Sequence, residues 1–324
     1  MRLADGHADS LMWNRDLTIR QRRGQVDVPR LRQAGVALQA FTIVTRGYPW
    51  LDGFGAFAAA RGWPRAARRA PWARCLHQVE ALHALAARSG GALALADSAA
   101  ALSVHLDAGR ISAVLGVEGG HALEGDAGRV AELAARGVRF MGLTHLGNNA
   151  LGGTSTPLHG DRPLSTHGFE VVDALAASGL AVDLAHASPR TFDDVLAHPA
   201  RPRLLCSHAG IAAARPGWRN LSAGQLGRLA DRGGVVGVIF ATVYLGGSGL
   251  EDVVRHVEAA LDGAGEDAVG LGSDFDGMVP MPPQLRDVTG LPLLVQALER
   301  RLPAATVEKV AFGNWRRFYG EVLG

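Results

Sequence analysis

The chain alternates between two hydrophobic periodicities. Short apolar, β-branched runs ending in glycine or a polar residue are followed by Ala/Leu/Arg-rich segments with helical spacing. The opening run, LADGHADSL (3–11), is followed by VALQAFTIV (36–44), ISAVLGVEG (111–119) and VRFMGLTHL (138–146). Then come GLAVDLAHA (179–187), RLLCSHA (203–209), GGVVGVIFA (233–241) and AVGLGSDFD (268–276), eight predicted strands in all. Between them the spacing predicts helices at CLHQVEALHALAARSG, AGRVAELAARG, GFEVVDALAASG, TFDDVLAHP, SAGQLGRLADRG and LEDVVRHVEAALDGAG. Several of these close on glycine, the residue that tolerates the left-handed turn after a helix.

Near-continuous apolar strands flanked by helices imply a parallel sheet covered on both sides. Eight such units predict an α/β fold, a (β/α)8 TIM barrel, as one domain over residues 1–324. An open doubly wound sheet is the competing architecture. It is disfavoured because the nearest dinucleotide-type turn, GLGSDF (270–275), has Phe in place of the third glycine and lies late in the chain. There is no P-loop. The stretch 46–73, rich in Gly, Pro, Trp and Arg, reads as an irregular excursion after the second strand, where a barrel places substrate-facing loops.

Composition narrows the function classes. With 33 Lys+Arg against 31 Asp+Glu, the formal net charge of +2 gives no electrostatic case for nucleic acid or an anionic membrane. Two cysteines, Cys75 and Cys206, do not make a disulfide framework. No leader-like segment precedes residue 5 and no run approaches a membrane span, so a soluble, cytoplasmic protein is expected.

The chemistry lies at the strand ends. His7 and Asp9, Glu118, His145, His186, His208 and Asp274 all fall at the C-terminal ends of predicted strands, which a barrel gathers at one mouth. Any single one would fit a satisfied core residue. Six of eight strands ending this way is not explained by packing, since an unpaired buried polar group costs several kcal/mol. Imidazole and carboxylate suit Zn, Mn, Fe or Co, and the set suffices for two ions about 3.5–4 Å apart. Cys206 could be a further ligand, although a small buried hydrophobe is the simpler reading. His77, His83, His105, His198 and His256 fall in helical patterns, and His121, His159 and His167 in loops or helix starts, with no functional role expected.

The ordered motifs DGHAD, GVEGGHAL, MGLTHLGNNALGG, VDLAHAS, LLCSHAG, WRNLS and GLGSDFDG, with FGNWRRFY near the C-terminus, resemble the membrane (renal) dipeptidase family of zinc peptidases and its bacterial relatives. The resemblance implies a binuclear metallohydrolase of the wider amidohydrolase-like group. It implies that His7, Asp9 and Glu118 hold one ion and that Glu118 bridges to a second, held by His186 and His208. It assigns His145 to the scissile carbonyl, Arg219 to the substrate carboxylate (Arg215 stands four residues away as an alternative) and Asp274 to proton transfer. Asp5 becomes a supporting residue or a strand-start cap. The cofactors expected are two divalent ions, zinc foremost, with a hydroxide between them. The partner expected is a small dipeptide, with a D-residue tolerated on its C-terminal side; family habit adds a homodimer.

Two features depart from the eukaryotic branch. LGNNALGG replaces its Cys-Asn-Thr-Pro-Trp type of segment, and the 46–73 excursion matches nothing in the family pattern, which leaves side-chain preference open. A deacetylase, cyclic amidase or lactonase of the same barrel group would more often show His-x-His on strand one and a carboxylated lysine on strand four. Here strand one offers His-x-Asp and lysine is scarce. A non-catalytic binding protein on the same barrel is disfavoured by the joint presence of every expected ligand and the acid/base group.

Overall fold

In the computed structural model, which describes residues 1–47 and 53–324, the predicted runs form a parallel barrel. The strands are β1 (Leu3–Ala8), β2 (Val36–Val44), β3 (Leu93–Leu95), β4 (Ile111–Glu118), β5 (Val138–Gly142), β6 (Ala181–Asp183), β7 (Leu204–Ile211), β8 (Asn220–Leu221), β9 (Val235–Val238) and β10 (Val269–Leu271). Eight of them run β1-β2-β4-β5-β6-β7-β9-β10 around the sheet. The ring closes just past β10, where Ala8 bridges Phe275, Asp9 N donates to Phe275 O at 2.8 Å and Asp274 N donates to His7 O at 3.2 Å. The (β/α)8 expectation holds. β3 and β8, absent from the sequence reading, are short additions that pair with the start of β4 and the end of β7.

Several strands are shorter than the apolar runs that announced them. β6 spans three residues of 179–187 and β10 three of 268–276. His186 and Asp274, inside those runs, have φ of 64° and 62°. A left-handed residue cannot continue a β-ladder. Both residues lie three positions past the last ladder residues, Asp183 and Leu271, where the chain turns its polar side chains into the mouth. β1 likewise ends at Ala8, with a register shift between Asp5 and Ala8, so Asp9 lies beyond it.

The helices form for local reasons as well as tertiary ones. Val28–Ala34, not anticipated from the sequence, is capped by the Asp27 carboxylate accepting from Arg30 N, carries Pro29 in its first turn and ends on left-handed Gly35. Ala223–Asp231 opens on a reciprocal Ser222–Gln225 capping box. The 46–73 excursion is not irregular throughout: Phe54–Ala60 is helical, Ala66–Arg68 forms a 3-10 turn and the helix Pro71–Arg88 begins inside it, while 48–52 lie outside the described residues. Its Trp63 is fully buried, donating to Met12 O at 3.2 Å.

Strand residues divide between two cores. Phe41, Ile43, Leu115 and Val117 pack outward against helices. Leu38, Ala40, Val114, Phe140, Leu205 and Val235 fill the barrel with Trp315, Phe318 and Tyr319 from the helix Asn314–Val322. Trp315 plugs the floor. Any Cβ on Gly6 or Gly270 would lie 2.3–2.4 Å from its ring, so both positions need glycine. Among the described residues no helix is long and apolar enough to cross a membrane.

Candidate active site

Above the floor the inward positions turn polar. Along β4 the inward column reads Ser112, Val114, Gly116, Glu118, so the two-residue period that buries Val114 also delivers Glu118 to the mouth. His7 and Asp9 arrive from β1, His145 from beyond β5, His186 from beyond β6, His208 from β7 and Asp274 from beyond β10. All but His145 of these seven residues are buried.

Glu118 is the hub. Its Oε1 lies 2.9 Å from His186 Nε2, 3.4 Å from His208 Nε2 and 3.8 Å from His7 Nε2, and its Oε2 lies 3.5 Å from His145 Nε2. His7 Nε2 is 3.4 Å from Asp9 Oδ1. Among the described residues three cation-capable groups result, His7–Asp9–Glu118, Glu118–His145–His186 and His7–His208–Asp274, each with donor atoms within 4.8 Å of one another.

Three buried carboxylates meet here. Burial and the nearby Glu118 charge raise the Asp9 carboxyl, and burial followed by Asp9 pushes Asp274 well above the ordinary carboxylate range. Burial also opposes ionisation of Glu118, but the His145 and His7 imidazoles outweigh it and hold its carboxyl well below that range. Burial opposes a charge on His7, yet Glu118 and Asp9 lift it to about 10. Burial keeps His186 and His208 neutral, helped by Arg219 and by His7 respectively. This set of donors calls for positive charge. His7 Nε2, fully buried, has no hydrogen-bond partner among the described residues, as expected of a ligand atom. The residues fit divalent ions of the imidazole- and carboxylate-preferring kind.

Arg219 is 3% exposed and lines the same cavity, of about 320 Å³, with Asp9, Glu118, His145, His186, His208 and Asp274. Its Nε and Nη2 find no hydrogen-bond partner among the described residues. Arg215, the alternative, is turned away and donates to Val243 O at 2.7 Å. Apolar wall comes from Met12, Phe54, Phe57, Ile239, Tyr244 and Val279.

Several supporting residues escaped the sequence reading. Thr42 Oγ1 donates to Asp9 Oδ1 at 2.5 Å. Ser207 Oγ lies 2.9 Å from His7 Nδ1 and 3.0 Å from His208 Nδ1. Asp276 ties the mouth together. It accepts from Ser10 Oγ, Arg15 Nη2, Gln25 N and, through its carbonyl, Trp13 Nε1. Asp5 caps no strand. It accepts from Ser273 N, Ser273 Oγ and Gln39 Nε2, joining β1 to its neighbours on both sides. The adjacent polar letters in CSH and SDFD were the only signal for Ser207 and Asp276. His121 shares a cleft with His145 and Arg46, and burial followed by His145 depresses its pKa to about 3. Cys206 belongs to the apolar core, its thiol pushed up to about 12 by burial.

Comparison with known proteins identifies the family and the fold. The profile of the membrane dipeptidase family, peptidase family M19, matches residues 1–323. Dipeptidase verJ of Clonostachys rogersoniana is 34% identical over 231 residues, covering 70% of this chain and 59% of its own. Dipeptidase aclJ of Aspergillus oryzae is 29% identical over 343 residues, covering 99% and 78%. The solved structure of a metallopeptidase from Rhodobacter sphaeroides, liganded with a phosphinate mimic of the dipeptide L-Ala-D-Ala, superposes with a TM-score of 0.85 at 26% identity, covering 99% of both chains.

Proposed function

Because this chain belongs to the membrane dipeptidase family, we propose that it is a metal-dependent dipeptidase holding two divalent ions, zinc foremost, and accepting a D-residue at the C-terminal position of its substrate. His7 and Asp9 would hold one ion, His186 and His208 the other, and Glu118 both. When bound, such ions acidify a shared water, so that hydroxide is available near neutral pH.

The observation that carries the dipeptide reading is the buried Arg219 guanidinium lining the cavity, whose Nε and Nη2 find no hydrogen-bond partner among the described residues. A guanidinium so placed matches the planar fork of a carboxylate. Set in the same cavity as Glu118 and the histidines, it favours a substrate whose free C-terminus lies one residue beyond the scissile bond. His145 Nδ1 lies 3.1 Å from Arg46 O, and since a carbonyl only accepts, Nδ1 carries the proton. Donation from Nε2 to a developing oxyanion therefore requires the doubly protonated ring, with Glu118 Oε2 as counter-charge. Asp274, its carboxyl raised by burial and by Asp9, is suited to take a proton from water and return it to the leaving amine. The likeness to the Rhodobacter enzyme and its L-Ala-D-Ala mimic supports the D-residue reading.

The test compares Ala-D-Ala, its C-terminal amide and a tripeptide, on the wild type and on Arg219→Ala. Leaving the guanidinium unpaired costs about 2–5 kcal/mol, so the amide is expected to react roughly 30- to 5,000-fold more slowly. Equal rates for acid and amide on the wild type would remove the carboxylate clamp.

A further inference from the structure

One hydroxyl touches a proposed ligand of each ion. Ser207 Oγ lies 2.9 Å from His7 Nδ1 and 3.0 Å from His208 Nδ1, and the two rings sit 3.8 Å apart between centroids. Ser207 is fully buried and its backbone is fixed: its N–H donates to Asp183 Oδ1 at 2.9 Å, the same oxygen that accepts from Ala185 N at 2.9 Å. The Asp183 side chain also interacts with the Ser207 side chain, which offers the hydroxyl proton an acceptor.

A hydroxyl has one proton and two lone pairs. If that proton points to Asp183, both lone pairs are left for the two imidazoles, and each Nδ1 must bring its own hydrogen. A neutral ring protonated at Nδ1 presents its lone pair at Nε2. Both Nε2 atoms face one carboxylate oxygen, Glu118 Oε1, at 3.8 Å for His7 and 3.4 Å for His208. The opposite arrangement, with Ser207 donating to either Nδ1, would put a proton on that ring's Nε2 and remove a ligand.

We propose that Ser207 is a positioning residue that accepts from both Nδ1–H groups and so commits His7 and His208 together to the ligating tautomer, one for each ion. The proposal rests on the two-ion reading above. It makes the affinities of the two ions depend on a single side chain that touches neither ion, whereas replacing either histidine would act first on its own ion.

The test is a titration of metal-stripped protein with Zn²⁺ against a chromophoric chelator, for wild type, Ser207→Ala and Ser207→Cys. Alanine is smaller than serine, and cysteine fills the space while accepting hydrogen bonds poorly, so the pair separates hydrogen bonding from packing. Thermal melts of the metal-free proteins confirm folding. Loss of an outer hydrogen-bond partner weakens metal binding by about 10- to 100-fold. Both variants are expected to show that loss for both ions, with metal-free melting temperatures near wild type. Unchanged affinity for either ion in a folded variant overturns the proposal. Wild-type protein that takes up fewer than two ions overturns the two-ion reading beneath it instead.

Discussion

The two ends of this barrel are built from the same strands and obey opposite rules. At the floor, Leu38, Val114, Phe140 and Leu205 close on Trp315 and Tyr319, and the indole N–H is satisfied by Leu271 O at 2.8 Å. At the mouth, at and beyond the ends of the barrel strands, Asp9, Glu118, His186, His208, Arg219 and Asp274 are buried as well. Their polar atoms compete for one another or, like His7 Nε2 and the Nε and Nη2 of Arg219, lack partners among the described residues. Burial stabilises the first arrangement and penalises the second. The floor is explained by folding alone, whereas the mouth holds polar groups that bound cations and a substrate carboxylate would satisfy. Changes at the floor should therefore move stability and spare chemistry, and changes at the mouth should do the reverse.

The largest break should come at the hub. Glu118→Gln is expected to lower turnover by about 10³-fold or more, since ion-derived charge stabilisation amounts to several kcal/mol. Metal content should fall with the rate, and the loss should exceed that of His186→Ala or His208→Ala. Near-normal turnover with metal retained would show that Glu118 serves only one ion or neither. Next, Asp274→Asn should keep its metal and its melting temperature while losing roughly 10²–10⁴ in kcat, the range for a general acid/base.

The floor supplies the converse. Trp315→Ala should cost about 3–5 kcal/mol of stability, read as denaturant midpoint, with kcat/KM of the folded fraction within about threefold of wild type. A collapse of kcat/KM in folded protein would mean the plug also shapes the mouth. The smallest effect belongs to Tyr319, whose buried hydroxyl finds no partner among the described residues. Tyr319→Phe removes that unsatisfied group and should leave stability unchanged or slightly raised.

The contrast also explains what was legible in the sequence. The barrel was readable because strands buried on both faces must be apolar, and the mouth because so many apolar runs end in His, Asp or Glu. Strand ends were not, since the left-handed turns at His186 and Asp274 lie within the apolar runs and leave no hydrophobic signature. The helix Phe54–Ala60 was hidden by its Gly- and Pro-rich surroundings, and the floor plug showed only as a family echo in FGNWRRFY. Ser207 and Asp276 escaped because their partners are remote in the chain: His7 for the first and residues 10–25 for the second. His256, on the helix Leu250–Ala264, shows a buried histidine used entirely by the fold. Ile211 N donates to its Nδ1 at 2.9 Å and its Nε2 donates to Leu245 O at 3.2 Å, so the neutral ring is fully used. Burial lowers its pKa to about 4. The unfolded chain then binds the proton first, so stability should decline as pH falls from about 6.5 towards 4, and His256→Gln should flatten that part of the profile.

The central claim is that the mouth is completed by two divalent ions and then cuts dipeptides. Its most direct test is to strip the protein with chelator and add Zn²⁺ in steps while following hydrolysis of Ala-D-Ala. The account predicts negligible activity without metal and a rise that saturates at two ions per chain. Full activity in the stripped protein, or no hydrolysis at any Zn²⁺ level by a folded protein that has bound its ions, would contradict it.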